Sequence, residues 1–177
     1  MIFIMNPPLI NHIVTQKGRM GVRYTDDNQQ LVTLAFKNDA DIKDGGHVLA
    51  LPIFQQQWVL TFHQERGIEF PGGKREQGET SQAAVKRELY EETGAIAEHI
   101  YYIAQYEVQS DQKHFKKDVY AVMVKDIETH AHYFETAGPV LTDSLKSVRE
   151  EDKSFLLKDP AILRCVERVK ELGFYQE

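Results

Sequence analysis

At roughly 100–200 residues per domain, a chain of 177 residues predicts one domain, or at most two small ones. Apolar residues make up 42% and charged residues 27%, which excludes a disordered, collagenous or coiled-coil chain and leaves a core that needs no disulfide or structural metal. Acidic residues (27) exceed basic ones (21), and the formal charge of −6 disfavours broad binding to nucleic acid or anionic membrane while leaving room for a local basic pocket.

The start, Met1-Ile-Phe-Ile-Met5, is apolar but short and is broken by Asn6-Pro7-Pro8, so it lacks the parts of a secretory signal. No uncharged apolar run approaches the ~20 residues that span a bilayer. The only cysteine, Cys165, excludes an internal disulfide and any Cys-based zinc site, and it suits a reducing compartment. The expectation is a cytoplasmic protein with no membrane partner; nothing in the sequence speaks to its oligomeric state.

Residues 1–27 read as an N-terminal extension of uncertain structure, and 28–177 as a single domain. Within the extension Ile13-Val14-Thr15 suggests a short strand, while Lys17-Gly18-Arg19 and Thr25-Asp26-Asp27-Asn28 suggest turns. Residues 31–36 alternate in the manner of a strand, and Asp44-Gly45-Gly46 signals a turn. Two apolar strands follow, His47 to Phe54 and Trp58 to Phe62, joined by Gln55-Gln56-Gln57 as in a hairpin. Pro52 places the first at an edge or a bulge. Farther on, Ile100 to Val108 and Asp118 to Val124 pair as strand candidates across a charged loop, Gln109 to Lys117.

Two helices are predicted. The first runs from about Ser81 to Thr93, with Thr80 as N-cap and Gly94 at its end. The second opens at Asp159-Pro160, carries Ile162, Val166 and Val169 on one face, and stops at Gly173. Strands and helices without regular βαβ alternation predict an α+β arrangement of the α/β class, a mixed sheet flanked by helices.

The first helix breaks two electrostatic rules at one place. Glu88, Glu91 and Glu92 fall within an arc of about 100°. Each like-charge neighbour pair costs ~0.2–0.5 kcal/mol in an isolated helix. The macrodipole disfavours acids in the last turns by ~0.3–1 kcal/mol each. A bound hard cation such as Mg²⁺ or Mn²⁺ would reverse the sign of both effects. The bland alternative is a solvated charged face, partly compensated by Lys86 and Arg87. Three neighbours favour the cation: the Pro71-Gly72-Gly73 turn, Glu79 in the loop feeding the helix, and Arg87, whose guanidinium can orient a carboxylate.

Gly73, Glu79 and Arg87-Glu88-Leu89-Tyr90-Glu91-Glu92-Thr93-Gly94 together resemble the signature of the Nudix hydrolases. Ala95 is the single departure, where that family usually has a bulkier aliphatic residue. Trp58 to Gly73 and His132 to Pro139 resemble its MutT-like, YtkD-type branch, nucleoside triphosphate pyrophosphohydrolases of Gram-positive bacteria, over roughly residues 28–157. The resemblance implies an α/β/α sandwich and Mg²⁺-dependent attack of water on phosphorus, with Mn²⁺ as a substitute metal. It implies Glu88, Glu91, Glu92 and the Gly72 carbonyl as metal ligands, Glu88 as general base, and Arg87 as its orienting partner. Glu79 would support the metal-binding loop. A further acid from a downstream loop is expected, with Glu135 the best-placed candidate and Glu107 and Asp111 the alternatives; an ordinary loop glutamate is an equal reading of Glu135.

His63, Arg66, Phe70 and Lys74 are the candidate substrate contacts, and Tyr106 and Phe134 are further aromatics that could meet a base. The implied activity converts nucleoside triphosphates, oxidised purines such as 8-oxo-dGTP above all, to monophosphate and pyrophosphate. Alternatives are removal of pyrophosphate from the 5′ triphosphate end of RNA and a non-catalytic domain that senses nucleotides.

Overall fold

The computed structural model describes residues 12–16 and 19–176. Among them ten strands form one sheet: β1 (His12–Gln16), β2 (Arg19–Thr25), β3 (Leu31–Phe36), β4 (His47–Phe54), β5 (Gln57–His63), β6 (Gly67–Glu69), β7 (Gly72–Lys74), β8 (Ala95–Gln109), β9 (His114–Ile127) and β10 (Thr136–Thr142). Helix α1 (Ser81–Thr93) lies between β7 and β8; three short 3₁₀ turns and α2 (Pro160–Glu171) follow β10. The order across the sheet is β1-β2-β3-β8-β9-β4-β5-β10, with β6 beside β5 and β7 beside β4. The β4–β9 junction is parallel and the other strand pairs are antiparallel, so the sheet is mixed, as the sequence predicts. The expected strand at residues 13–15 is β1, and β2 pairs with β3, so both continue the same sheet. The expected turn at Lys17-Gly18 lies outside the described residues.

Both faces of the central strands are covered, which explains why β4 reads as an unbroken apolar run instead of an alternation. Leu49, Leu51, Ile53, Trp58 and Leu60 face Ile162, Cys165, Val166 and Val169 of α2. Val48, Ala50, Val59, Tyr120 and Val122 face Ala84, Val85 and Leu89 of α1. Full burial of side chains such as Val85 and Leu89 contributes roughly 1.5–3 kcal/mol each, enough to seat a helix whose own charges oppose it.

The helix ends follow their residues. The Thr80 hydroxyl accepts from the Ala83 N–H at 3.1 Å, and Gly94 closes α1 at φ 73° with its N–H on the Tyr90 carbonyl. Asp159 caps α2 through the Ala161 and Ile162 N–H groups, with Pro160 at the first helical position. The same carboxylate accepts from the Tyr24 and Tyr106 hydroxyls, each at 3.1 Å, fastening α2 to β2 and β8.

Three expectations need correction. The charged stretch 109–117 is not a loop, because β8 and β9 run on as a long hairpin and only residues 110–113 turn. Its strand charges alternate between the two faces, Lys116 reaching Asp44 on one and Lys117 lying half-buried beside Tyr106 on the other, and neither interrupts the pairing. Pro52 is not at an edge, since β4 has partners on both sides. Its ring nitrogen shares a side with the Ala50 N–H, between the stretches paired to β7 and to β5, so no ladder donor is lost. Finally, the β4–β5 connection has two residues, not three: Gln55 and Gln56 both adopt positive φ (50° and 62°), the twist of a type I′ turn, and Gln57 is already in the strand.

Asp118 of β9 is fully buried and joins four pieces of chain. It accepts from the Gly45 N–H (2.9 Å), Ser81 Oγ (2.7 Å), Tyr102 OH (3.0 Å) and Gln105 Nε2 (3.0 Å). Ser81 in turn accepts from Tyr120 OH at 2.7 Å, so the first residue of α1 is pinned to the sheet. Asp118→Ala strands several buried donors at ~1–3 kcal/mol each. It is expected to cost about 3 kcal/mol or more, seen by calorimetry as a melting point lower by roughly 6–12 °C.

Candidate active site

α1 delivers its acids from one side, β7 closes beneath them, and the segment leading into β10 forms the opposite wall. The result is an open cleft of about 260 Å³ lined by Glu88, Glu91, Glu92, Phe134, Glu135 and Thr136. Phe134 and Glu135 stand out at its rim, the Glu135 side chain being 81% exposed.

Arg87 organises the acids. Its Nε and Nη2 bond the two oxygens of Glu79 at 2.8 and 3.0 Å; Nη1 bonds Glu88 Oε1 at 2.9 Å and Glu91 Oε2 at 3.3 Å; Nη2 also bonds the Lys74 carbonyl at 3.0 Å. A guanidinium has five N–H donors, and five bonds are made. Glu79 also accepts from the Glu76 N–H. The Arg87 bonds and that N–H hold its carboxyl down at about 2.

The other acids are less well compensated. Burial raises the Glu88 carboxyl above the usual carboxylate range, outweighing Arg87. Burial pushes Glu92 up to about 8, against one bond from the Gly72 N–H at 3.1 Å. The backbone carbonyl of Glu92, at the end of α1 where no intrahelical donor is available, accepts from the hydroxyls of Thr136 (3.0 Å) and Thr61 (3.3 Å). These threonines were not singled out in the sequence; a threonine in an apolar strand carries no signal of such a contact. Gly73 has a steric reason to be glycine, because a Cβ there would collide with the Glu88 carboxylate.

The structure thus gathers Gly72, Arg87, Glu88, Glu91, Glu92 and Glu135 around one cleft. The four expected substrate contacts are not among its lining residues. Phe70 is buried edge-on against Trp58. His63 is buried, with Nδ1 accepting from the Glu65 and Arg66 N–H groups (3.2 Å each) and Nε2 3.9 Å from Glu135. Arg66 is doubly bonded to Glu69. Lys74 is exposed at the end of β7. Tyr106 is a core residue bonded to Asp159, Glu107 pairs with His114 at 2.6 Å, and Asp111 lies in the β8–β9 turn.

Among the described residues no three acidic or histidine side chains converge as a preassembled metal nest. The donor set nevertheless fits a hard divalent cation: all oxygen, from one rigid helix, with two carboxyls raised by burial that a cation would compensate.

Comparison with known proteins agrees with this geometry. The NUDIX domain profile matches residues 44–155. The chain is 36% identical over 155 residues to "Putative 8-oxo-dGTP diphosphatase YtkD" of Bacillus subtilis, covering 86% of this chain and 98% of that protein. It is 42% identical over 62 residues to the 8-oxo-dGTP diphosphatase of Escherichia coli, covering 35% of this chain and 48% of that one. The crystal structure of a mutant of the Bacillus subtilis pyrophosphohydrolase BsRppH superposes with a TM-score of 0.79 at 35% identity, over 87% of this chain and 99% of that one.

The depressed Glu79 pKa gives a signed expectation. Its contribution is full above the ordinary value of 4.5 and is lost as pH falls through about 2. The melting-temperature gap between wild type and Glu79→Gln should therefore narrow as pH drops from 4.5 to 2. A gap that stays constant across this window would mean that ionisation of Glu79 contributes nothing to the fold.

Proposed function

Since the chain belongs to the NUDIX family of hydrolases, we propose that it cleaves nucleoside triphosphates to monophosphate and pyrophosphate, oxidised purines such as 8-oxo-dGTP above all, with Mg²⁺ as its metal and Mn²⁺ as a substitute. The observation that carries this reading is the set of helical glutamates facing an open cleft with more negative charge than Arg87 can offset. A polyphosphate alone would be repelled by such a wall. When bound, the metal supplies charge screening and polarises a phosphoryl oxygen.

The chain's own residues do the rest. Glu88, Glu91, Glu92 and the Gly72 carbonyl hold the metal, and Glu135 adds a carboxylate from the facing wall. Arg87 occupies Glu88 Oε1, which leaves Oε2 to take the proton of the attacking water. Glu79 acts through Arg87, keeping the guanidinium in the plane that serves Glu88 and Glu91. Thr61 and Thr136 fix the end of α1 so that Glu92 is aimed into the cleft. Of the four side chains expected to meet substrate, exposed Lys74 remains free to approach a phosphate.

A second reading keeps the chemistry and changes the substrate to the 5′ triphosphate end of RNA. It is favoured by the cleft's open rim, where exposed Phe134 and Glu135 leave room for a chain to continue outward. A non-catalytic sensor is disfavoured because every acid of the cluster is present and oriented.

Pyrophosphate release from 8-oxo-dGTP, dGTP, ATP and triphosphorylated RNA tests the proposal. Turnover should require Mg²⁺ and vanish with chelator, and Glu88→Gln should lower kcat by about 10²–10⁴-fold. The absence of Mg²⁺-dependent turnover on all four substrates would overturn it.

A further inference from the structure

Residues 128–135 join β9 to β10 and carry Phe134 and Glu135 along the cleft wall that faces the helical acids. Among the described residues the Glu135 carboxylate makes no hydrogen bond; His63 Nε2, at 3.9 Å, stands beyond hydrogen-bond reach. That carboxylate is therefore placed by its backbone, and the backbone is fastened to α1 at both ends. At the near end the Glu128 N–H bonds the Gly94 carbonyl at 2.9 Å. At the far end the Thr136 hydroxyl bonds the Glu92 carbonyl at 3.0 Å, and the Glu135 carbonyl accepts from the Gln64 N–H at 3.2 Å.

Between these ends three rings hold the segment down. Tyr90 of α1 meets His130 edge-on, with centroids 4.6 Å apart, and its hydroxyl donates to Glu128 Oε2 at 2.7 Å. The His130 ring stacks on Tyr133 at 5.1 Å, and the His130 N–H bonds the Tyr133 hydroxyl at 3.1 Å. Tyr133 lies against Gly138 of β10, where φ is 94° and a Cβ would stand 2.8 Å from the ring. At about 100° per residue, Tyr90 falls outside the arc of Glu88, Glu91 and Glu92. It flanks the acids in sequence yet serves the facing wall.

The imidazole is the informative member of the stack. His130 Nε2 is buried without a hydrogen bond among the described residues, which is unfavourable for a ring nitrogen. What the ring contributes is its shape between two tyrosines. We propose that Tyr90, His130 and Tyr133 are positioning residues: they hold Glu135 in place opposite Glu91 and Glu92, so that both walls of the cleft grip one divalent cation. A carboxylate on an unfastened connection would lose conformational freedom on meeting the cation, and one already fastened loses less. The helix that supplies the clustered acids thus also carries the anchor for the acid across from them. The inference deepens the hydrolytic reading of the site and rests on it.

The test is Mn²⁺ binding by the full chain, read from the electron paramagnetic resonance signal of the free ion with no nucleotide present. Wild type should bind Mn²⁺, and Glu135→Gln and Tyr90→Ala should each weaken binding by about tenfold. Tyr90→Ala in the Glu135→Gln background should weaken it no further, because both changes act on one carboxylate. His130→Ala should behave as Tyr90→Ala does. His130→Phe, which keeps a ring in the stack and removes the orphaned nitrogen, should restore wild-type affinity. Val169→Ala, a core truncation in α2, should lower the melting temperature and leave Mn²⁺ affinity unchanged, separating lost positioning from lost stability.

Additive losses in the double variant would overturn the inference, as would wild-type affinity in Glu135→Gln, Tyr90→Ala or His130→Ala. So would a loss in His130→Phe as large as that in His130→Ala, or a loss in Val169→Ala equal to that in Tyr90→Ala. Failure of wild type to bind Mn²⁺ would sink the metal-dependent reading and this inference with it, whereas binding without coupling would sink this inference alone.

Discussion

One guanidinium sets the geometry of the acidic cleft. Arg87 sits between a loop acid, two helical acids and a strand carbonyl, and it has no N–H left over. A lysine could supply the charge but not the planar fork that meets Glu79 through two bonds while reaching Glu88 and Glu91 with a third nitrogen. The loop between β7 and α1, the last turns of the helix and β7 itself are therefore held by a single side chain. Asp118 performs the corresponding task at the other end of α1, where Ser81 is tied to β8, β9 and the loop before β4. The helix is fastened at both ends by ionic groups and along its length by apolar packing, so its unfavourable last-turn acids need not be stabilised by the helix alone.

Charge is shared unevenly among those acids. Glu79 is satisfied to the point that its carboxyl is held at about 2, whereas Glu92, pushed up to about 8, has one peptide N–H for its carboxylate. The contrast separates the two kinds of work proposed for them. A fully compensated acid fixes the position of its partner; an undercompensated one is available to a cation. The threonine hydroxyls on the Glu92 carbonyl fit the same division, since they anchor its backbone and leave its carboxylate with the Gly72 N–H as its donor.

Much of this was legible in the sequence because it rests on local rules. Thr80, Gly94, Asp159 and Pro160 mark helix ends through contacts made within a few residues. The Glu88, Glu91 and Glu92 spacing follows from helical geometry alone. What could not be read depends on partners far along the chain. The charges of 109–117 hide a strand because their partners lie elsewhere, Lys116 on Asp44 and His114 across the hairpin on Glu107. Phe70 and Tyr106 have the chemistry of base-stacking residues, but long-range packing against Trp58 and Asp159 places them in the core. His63 turns inward because two backbone N–H groups in its own loop need an acceptor, a demand visible only once the strand end is placed.

The two faces of the sheet divide the chemistry by sign. Carboxylates gather on the side of α1, while Lys74, His47, Lys113 and Lys117 gather on the side of α2. β7 touches both groups, and its three residues match that position. Gly72 offers an N–H to Glu92, Gly73 has no side chain to obstruct Glu88, and Lys74 gives its carbonyl to Arg87 while its side chain begins the basic row. A net charge of −6 would ordinarily keep a polyanion away. The function proposed for the chain reconciles that repulsion with a polyphosphate ligand, because a bound cation would screen the acids.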